Sequence, residues 1–180
     1  NRDISLKQRL RVFDSTVSSC VLWCTESWTP RADELRKLES ARRSMLRKIV
    51  GLKRRPDEEW LDWLRRCTHK AISISDQIGI RPWGESHLTR KWHWAGHVAR
   101  RSSDTWLLRV TCWRDSYWQF VVSDFAGRPM RPSRRRWMKW EDVARRYCEE
   151  KGGLRWMSAA ADKDVWNRDA EFFARWCQAV

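Results

Sequence analysis

The sequence contains no uninterrupted apolar run of about 18 residues, the length a membrane-crossing helix requires, so no part of it reads as a transmembrane segment. Its seven glycines form no phosphate-cradling loop, and the pair Gly152-Gly153 is more simply a helix stop. Two adjacent aspartates, as polymerases and nucleases use to hold divalent metals, do not occur. No serine sits in a G-x-S-x-G turn, and none of the six cysteines forms a C-x-x-C pair. The acidic groups Asp57, Glu58, Glu59 and Glu141, Asp142 fall where helices begin, a place where carboxylates favour the helix dipole without any chemistry. No catalytic residue, metal site or cofactor is legible, and the chain is not expected to be an enzyme by itself.

Acidic residues are also scarce relative to basic ones. There are 23 Asp and Glu against 37 Lys and Arg, a formal charge of +14 over 180 residues. That excess exceeds what solubility needs and points to a polyanionic partner, most simply RNA or DNA. Tyrosine is nearly absent while tryptophan is abundant, two against 15. Indole rings pack cores, stack on bases or lie at interfaces, so their number alone selects none of these. The cysteines Cys20, Cys24, Cys67, Cys112, Cys148 and Cys177 sit mostly beside apolar residues at helical spacing. They are read as reduced, packed thiols of an intracellular protein, whether nuclear, cytoplasmic or organellar. A start at Asn1 that leads almost at once into a patterned helix suggests a piece of something longer.

The periodicity is helical nearly throughout. Leu6, Leu10, Phe13, Val17, Cys20 and Val21 step by threes and fours along residues 4–23. After Thr29 and Pro30, a helix over 31–50 is expected to bury Leu35, Leu38, Met45 and Ile49. Arg36, Arg43 and Arg47 fall on one line of its opposite side, seven and eleven residues being close to whole turns. Arg42 projects toward the apolar side and must snorkel or pair. Gly51 ends this helix. A loop carrying Lys53, Arg54 and Arg55 precedes a helix with Trp60, Leu61, Trp63 and Leu64, which runs to about Gly79. The next, from about Glu85 to Arg101, is expected to bury Leu88, Trp92, Ala95 and Ala99. Residues 104–122 have helical spacing with β-branched and aromatic content that a strand would tolerate, and are read as helix. Residues 126–136, AGRPMRPSRRR, read as an exposed linker. A helix bearing Trp137, Trp140, Val143, Ala144 and Tyr147 follows, then a last one from about Ser158 with Val165, Phe172, Phe173 and Trp176 inward. The expected fold is all-α, an irregular bundle of about six or seven helices. Its expected divisions are a helical domain over 1–125, the basic linker, and a helical segment over 137–180.

The stretch KWHWAGHVARR, residues 91–101, places His93 and His97 one helical turn apart, which invites a zinc reading. No carboxylate or cysteine completes a familiar ligand spacing, and the surrounding positive charge opposes a cation. A packed or hydrogen-bonded role is the simpler one. The basic clusters matter more: Arg36, Arg43 and Arg47; Lys53, Arg54 and Arg55; Arg90 and Lys91; Arg100 and Arg101; and Arg128, Arg131, Arg134, Arg135 and Arg136. One such run is usually a solvated face. Several, rich in arginine and unbalanced by acid, point to phosphate, which the guanidinium fork binds bidentately. Trp137 beside the last cluster is the best candidate for base stacking, whereas Trp60, Trp92 and Trp113 are expected in the core.

Taken in order, the motifs resemble the C-terminal region of a non-LTR (LINE-like) retrotransposon reverse transcriptase, from the thumb onward. LKQRLRVFDSTVSSCVLWCTESWT resembles the thumb helix and its closing run, matched by Leu22, Trp23, Glu26, Trp28 and Thr29. LRKLESARRSMLRKIVGL matches the following helix through Arg42, Arg43, Met45, Leu46 and Gly51. KWHWAGHVAR resembles an R-W-x-G-H-x-x-R segment, GRPMRPSRRRW a basic arm, and WMSAAADKDVW a W-x3-A-x-D-x3-W tail. Where the family has Tyr-Gly, this chain has Trp23-Cys24, a departure that bears on the turn's geometry, since glycine takes backbone angles that cysteine cannot take cheaply. The palm with its metal-binding aspartates has no counterpart in these residues. The resemblance implies a thumb-like grip on RNA, an RNA/DNA hybrid or DNA, without polymerisation by this chain. A second possibility is a retroelement-derived structural subunit whose partners include other proteins.

Overall fold

In the computed structural model the described residues are 4–101, 105–112, 140–153 and 155–179. All regular structure among them is helical, with no strand, as the periodicity implied. The chain divides into two compact units, residues 1–91 and 92–180, the boundary falling inside one helix. The expected linker over 126–136, and the residues 113–139 that contain it, lie outside the described residues.

The first unit opens with α1, Leu6–Phe13. Ser5 and Gln8 close a reciprocal cap, Gln8 N donating to Ser5 Oγ at 3.3 Å and Ser5 N to Gln8 Oε1 at 3.0 Å. The helix widens to a π-helical turn over Asp14–Ser18 before α2, Ser19–Val21. The run Ser15-Thr16 explains the local competition, since both hydroxyls donate back to the Val12 carbonyl, at 3.1 and 2.6 Å. A short 3-10 turn, Thr25–Ser27, leads to α3, Ala32–Val50. Glu34 Oε2 accepts from Arg31 N at 2.7 Å at the start of α3, and Gly51, at φ 62°, terminates it with its N–H on the Arg47 carbonyl at 2.9 Å. α4 is Trp60–Gln77 and α5 is Trp83–Ala99. α3 packs on α4 and on α1 around Leu10, Phe13, Leu22, Leu46, Ala71, Ile74, Ile80 and Trp83.

Several positions differ from the pattern. The inward stripe of α3 is centred on Leu38, Arg42, Leu46 and Ile49, so Met45, about 100° from Leu46 around the helix, is exposed. Arg42 is buried and paired as its position required, donating to Glu39 Oε1 at 2.8 Å and to the Ile80 carbonyl at 3.4 Å. Trp60, expected inside, and its neighbour Leu61 are more than half exposed. They occupy the first turn of α4, while its buried stripe is Cys67, Ala71, Ile74 and Ser75 further along. Cys20 and Cys24 are exposed and Cys67 and Cys148 buried, so the thiols do not share one environment.

The second unit begins with the last two turns of α5 and contains α6, Trp106–Cys112, and α7, Asp142–Gly152. It closes with α8, Trp156–Ala159, α9, Lys163–Arg168, and α10, Ala170–Ala179. The single last helix expected from residue 158 is therefore three pieces. Asp162 breaks it by capping α9, its carboxylate accepting from Asp164 N and Val165 N at 3.0 Å each. This rephasing turns Trp166 and Phe173 inward and leaves Val165 and Phe172 exposed, against expectation. The core is aromatic. Trp92 and Trp166 stack at 3.6 Å with 3° between ring planes, Phe173 lies 4.5 Å from Trp92, and Tyr147 meets both Trp92 and Phe173 edge-on. Each indole N–H donates to the other residue's carbonyl, Trp92 Nε1 to Trp166 at 2.6 Å and Trp166 Nε1 to Trp92 at 2.9 Å. Gly96 makes room for this pair: a Cβ there would lie 2.5 Å from Trp166 Nε1.

Candidate nucleic-acid interface

The α3 helix presents Arg36 and Arg43 to solvent, with Arg47 half-buried and donating to Thr68 Oγ1 at 3.3 Å. Beyond Gly51 the loop carries Lys53, Arg54 and Arg55, all exposed. This loop is held from α4. Trp63 Nε1 donates to the Leu52 carbonyl at 2.9 Å and Arg66 to the Lys53 carbonyl at 3.1 Å. The Arg66 guanidinium also grips both oxygens of Glu58, at 2.7 Å each, while Arg55 N donates to Glu58 Oε2 at 3.1 Å. The side-chain hydrogen bond from Arg66 holds the Glu58 carboxyl well below its usual range, at about 2, and the pairing raises Arg66 in return. Glu58 thus does more than open a helix. It cancels Arg66 locally and fixes the backbone from which three cations face outward.

The cations of α5 behave differently. Lys91 is buried, 3% exposed, and its ammonium donates to the Trp28 carbonyl at 2.6 Å; this removes it from the solvent-facing set expected of it. Arg90 is half-buried and donates to the Leu22 carbonyl at 2.8 Å. Both hold the turn between α2 and α3, where Cys24 adopts φ 54°, the left-handed conformation that glycine takes without strain. In the second unit Arg100 reaches the Ala160 carbonyl at 2.7 Å, and Arg101 donates to His97 Nε2 through Nε and a terminal nitrogen at 3.1 and 2.9 Å. Arg128, Arg131, Arg134, Arg135, Arg136 and Trp137 lie outside the described residues.

The histidine pair is exposed and hydrogen-bonded. His93 Nδ1 lies 3.1 Å from Asn167 Oδ1, and His97 stacks on Trp94 at 5.5 Å between centroids. With Arg101 donating to Nε2, the lone pair that a metal would need at that nitrogen is taken by the hydrogen bond. Among the described residues no group of three or more His, Cys, Asp or Glu is placed to share a metal ion. No helix among them is long and apolar enough to cross a membrane.

Among the described residues, the end of α3 and the following loop carry a run of exposed cations, Arg43, Lys48, Lys53, Arg54 and Arg55, while other exposed cations are spread along the chain. Sequence reading missed the part played by Arg66 and Glu58. They stand eight residues apart across a loop and a helix start, a spacing that carries no local signal.

In comparisons with known proteins, the chain is similar to an uncharacterized transposon-derived protein of Caenorhabditis elegans, with 26% identity over 165 residues. The match covers 89% of this chain and 53% of the nematode protein, so the chain spans about half the length of the curated relative it matches. No protein-family model matches the sequence, and no solved structure matches it.

Proposed function

We propose that this chain is a nucleic-acid-binding part of a retrotransposon reverse transcriptase, corresponding to the region from the thumb onward. It grips RNA, an RNA/DNA hybrid or DNA through phosphate contacts, and polymerisation belongs to a palm that these residues do not include. The observation that carries the reading is the braced loop with Lys53, Arg54 and Arg55 exposed, directly after the helix that carries Arg43 and Arg47. A loop already fixed by Arg66 and Glu58 loses little freedom on binding, so its Coulomb attraction to phosphate is not spent on ordering the chain. The charge of +14 and the similarity to a transposon-derived protein support a retroelement origin with a polyanionic partner.

The test is a salt titration of affinity for a short RNA/DNA hybrid. Affinity should fall steeply with salt, and replacing Lys53, Arg54 and Arg55 together by Ala should reduce the slope of log K against log salt by about two to three. A wild-type affinity independent of salt would remove phosphate contacts as the main term. A second reading, a retroelement-derived structural subunit, is favoured by the exposed Trp60 and Leu61 in the first unit and the exposed Trp106 and Val110 in the second. Protein subunits that co-purify stoichiometrically with the native chain through high salt would support it.

A further inference from the structure

The exposed side chains beside the braced loop are not all charged. Trp60, Trp63 and Cys67 stand three and then four residues apart, on one face of α4. That face receives the loop: Trp63 Nε1 donates to the Leu52 carbonyl at 2.9 Å, and the Cys67 thiol donates to the same carbonyl at 3.9 Å. Cys67 is buried and Trp63 half-buried. Trp60, about 4.5 Å nearer the helix start than Trp63, is 53% exposed. The chain from Arg55 to Trp60 is folded by a turn in which Glu58 N donates to the Arg55 carbonyl at 3.2 Å, so the two backbones lie within about 18 Å.

An indole therefore stands in water beside three exposed cations, on a backbone that Arg66 and Glu58 hold. A single strand of nucleic acid matches this pairing, because it carries phosphates and flat rings a few bonds apart. Bases within a duplex already stack on one another, whereas an unpaired base has a free face. An anionic bilayer fits less well, since the exposed carboxylates of Asp57 and Glu59, just before Trp60, would be pressed against headgroups of the same sign. The same carboxylates turn phosphate away from the ring and leave the ring to a base. A protein partner would find too little surface. Trp60 and Leu61 are bounded by those carboxylates and by the Asp62–Arg65 ion pair at 3.1 Å, and two side chains fall far short of the roughly 800 Å² each partner buries in a stable interface.

We propose that Trp60 is a stacking platform for one unpaired base of a strand whose neighbouring phosphates lie on Lys53, Arg54 and Arg55. The inference rests on the nucleic-acid reading and deepens it: the strand is single at this edge of the loop. It is indifferent to base identity, since every base has a face to stack.

The test compares the affinity of the full chain for a short oligothymidylate with that for an abasic sugar-phosphate strand of equal length, which has the same phosphates and no bases. The unsubstituted chain should prefer the oligothymidylate. Trp60→Ala should reduce that preference about tenfold, the loss of one base–aromatic stack, while leaving the abasic affinity and the slope of log K against log salt unchanged. Trp60→Phe should restore part of it. A steep salt slope with the same preference in Trp60→Ala as in the unsubstituted chain would overturn the stacking role and leave the phosphate reading standing; a flat slope would remove both. An unchanged preference with lost binding to phosphatidylserine vesicles would assign the ring to a membrane instead and overturn the proposal. If Trp60→Ala does not fold, 5-fluorotryptophan in the unsubstituted chain decides: the 19F signal that disappears in Trp60→Phe should shift with oligothymidylate and not with the abasic strand, and no shift, or the same shift with both, would overturn the proposal.

Discussion

Replacing Gly96 by Ala tests the packing of the second unit at its tightest point. The added methyl would stand 2.5 Å from Trp166 Nε1 and 2.6 Å from its Cδ1, with an Arg100 terminal nitrogen at 2.9 Å. The arginine end can swing away at little cost. Trp166 cannot: it is 2% exposed, stacked on Trp92, and tied to the Trp92 carbonyl by the bond its Nε1 makes. Overpacking of this kind costs about 1–3 kcal/mol. Breaking the indole hydrogen bond in a buried site adds about 1–1.5 kcal/mol. Against this, alanine is a better helix former than glycine by about 1 kcal/mol. The expected net loss is about 2 kcal/mol. With a urea dependence of about 1 kcal/mol per molar, the unfolding midpoint of this unit should fall by about 2 M, read by far-UV circular dichroism. His97→Ala, one residue away and exposed, serves as the control and should move the midpoint by less than about 0.5 M. An unchanged or higher midpoint for Gly96→Ala would mean that helix propensity governs this position and that the indole pair does not need the glycine.

Three further outcomes are expected. Cys24→Gly should stabilise the first unit by about 1 kcal/mol in thermal unfolding, because glycine takes φ 54° without the strain a Cβ brings; a destabilisation would refute strain at this turn. Burial, together with the neighbouring Lys91 charge, pushes the folded-state pKa of His87 down to about 4, so the folded state resists a proton that the unfolded chain accepts. Stability should therefore fall as pH drops from 6.5 toward 4, by up to about 1.4 kcal/mol per pH unit, and His87→Asn should flatten that slope; parallel profiles for the two proteins would exclude His87 as the source. Glu58 works in the same direction over a lower window: its pairing contributes fully above pH 4.5 and is lost as pH falls toward 2. At neutral pH, Glu58→Gln makes the chain more positive yet should weaken hybrid binding about threefold by loosening the loop, whereas tighter binding would show that bulk charge alone sets affinity.

The helical class was legible because apolar residues recur every three or four positions over long stretches, and the π-turn and short breaks do not erase that period. Arg42 was legible too, since a cation on the apolar line of α3 must find a partner, and Glu39 is one turn away. Position 24 was a partial success. The glycine expected from the resemblance marks a left-handed turn, and the cysteine here adopts it nonetheless. What periodicity missed was the phase of the last helices. Asp162 looks like an ordinary polar residue in a helical run, but as a cap it restarts the helix and rotates every later side chain. At the candidate interface, the sequence lists the basic residues but does not tell which of them face water. Lys91 is in the same run as Arg90, yet its four-carbon stem lets the ammonium reach a carbonyl 63 residues earlier in the chain. Such contacts depend on tertiary placement, and no local spacing encodes them.

The mutual grip of Trp92 and Trp166 joins residues 74 positions apart, and all of Arg128 to Arg136 lies between them. The entropy of closing a chain segment rises only with the logarithm of its length. Doubling the span would cost the pair about 0.6 kcal/mol, and ten added residues about 0.1 kcal/mol. Insertions or deletions in the sequence between Trp92 and Trp166 therefore weigh little on the indole clasp, whose closure depends on the two tryptophans and hardly on the number of residues that separate them.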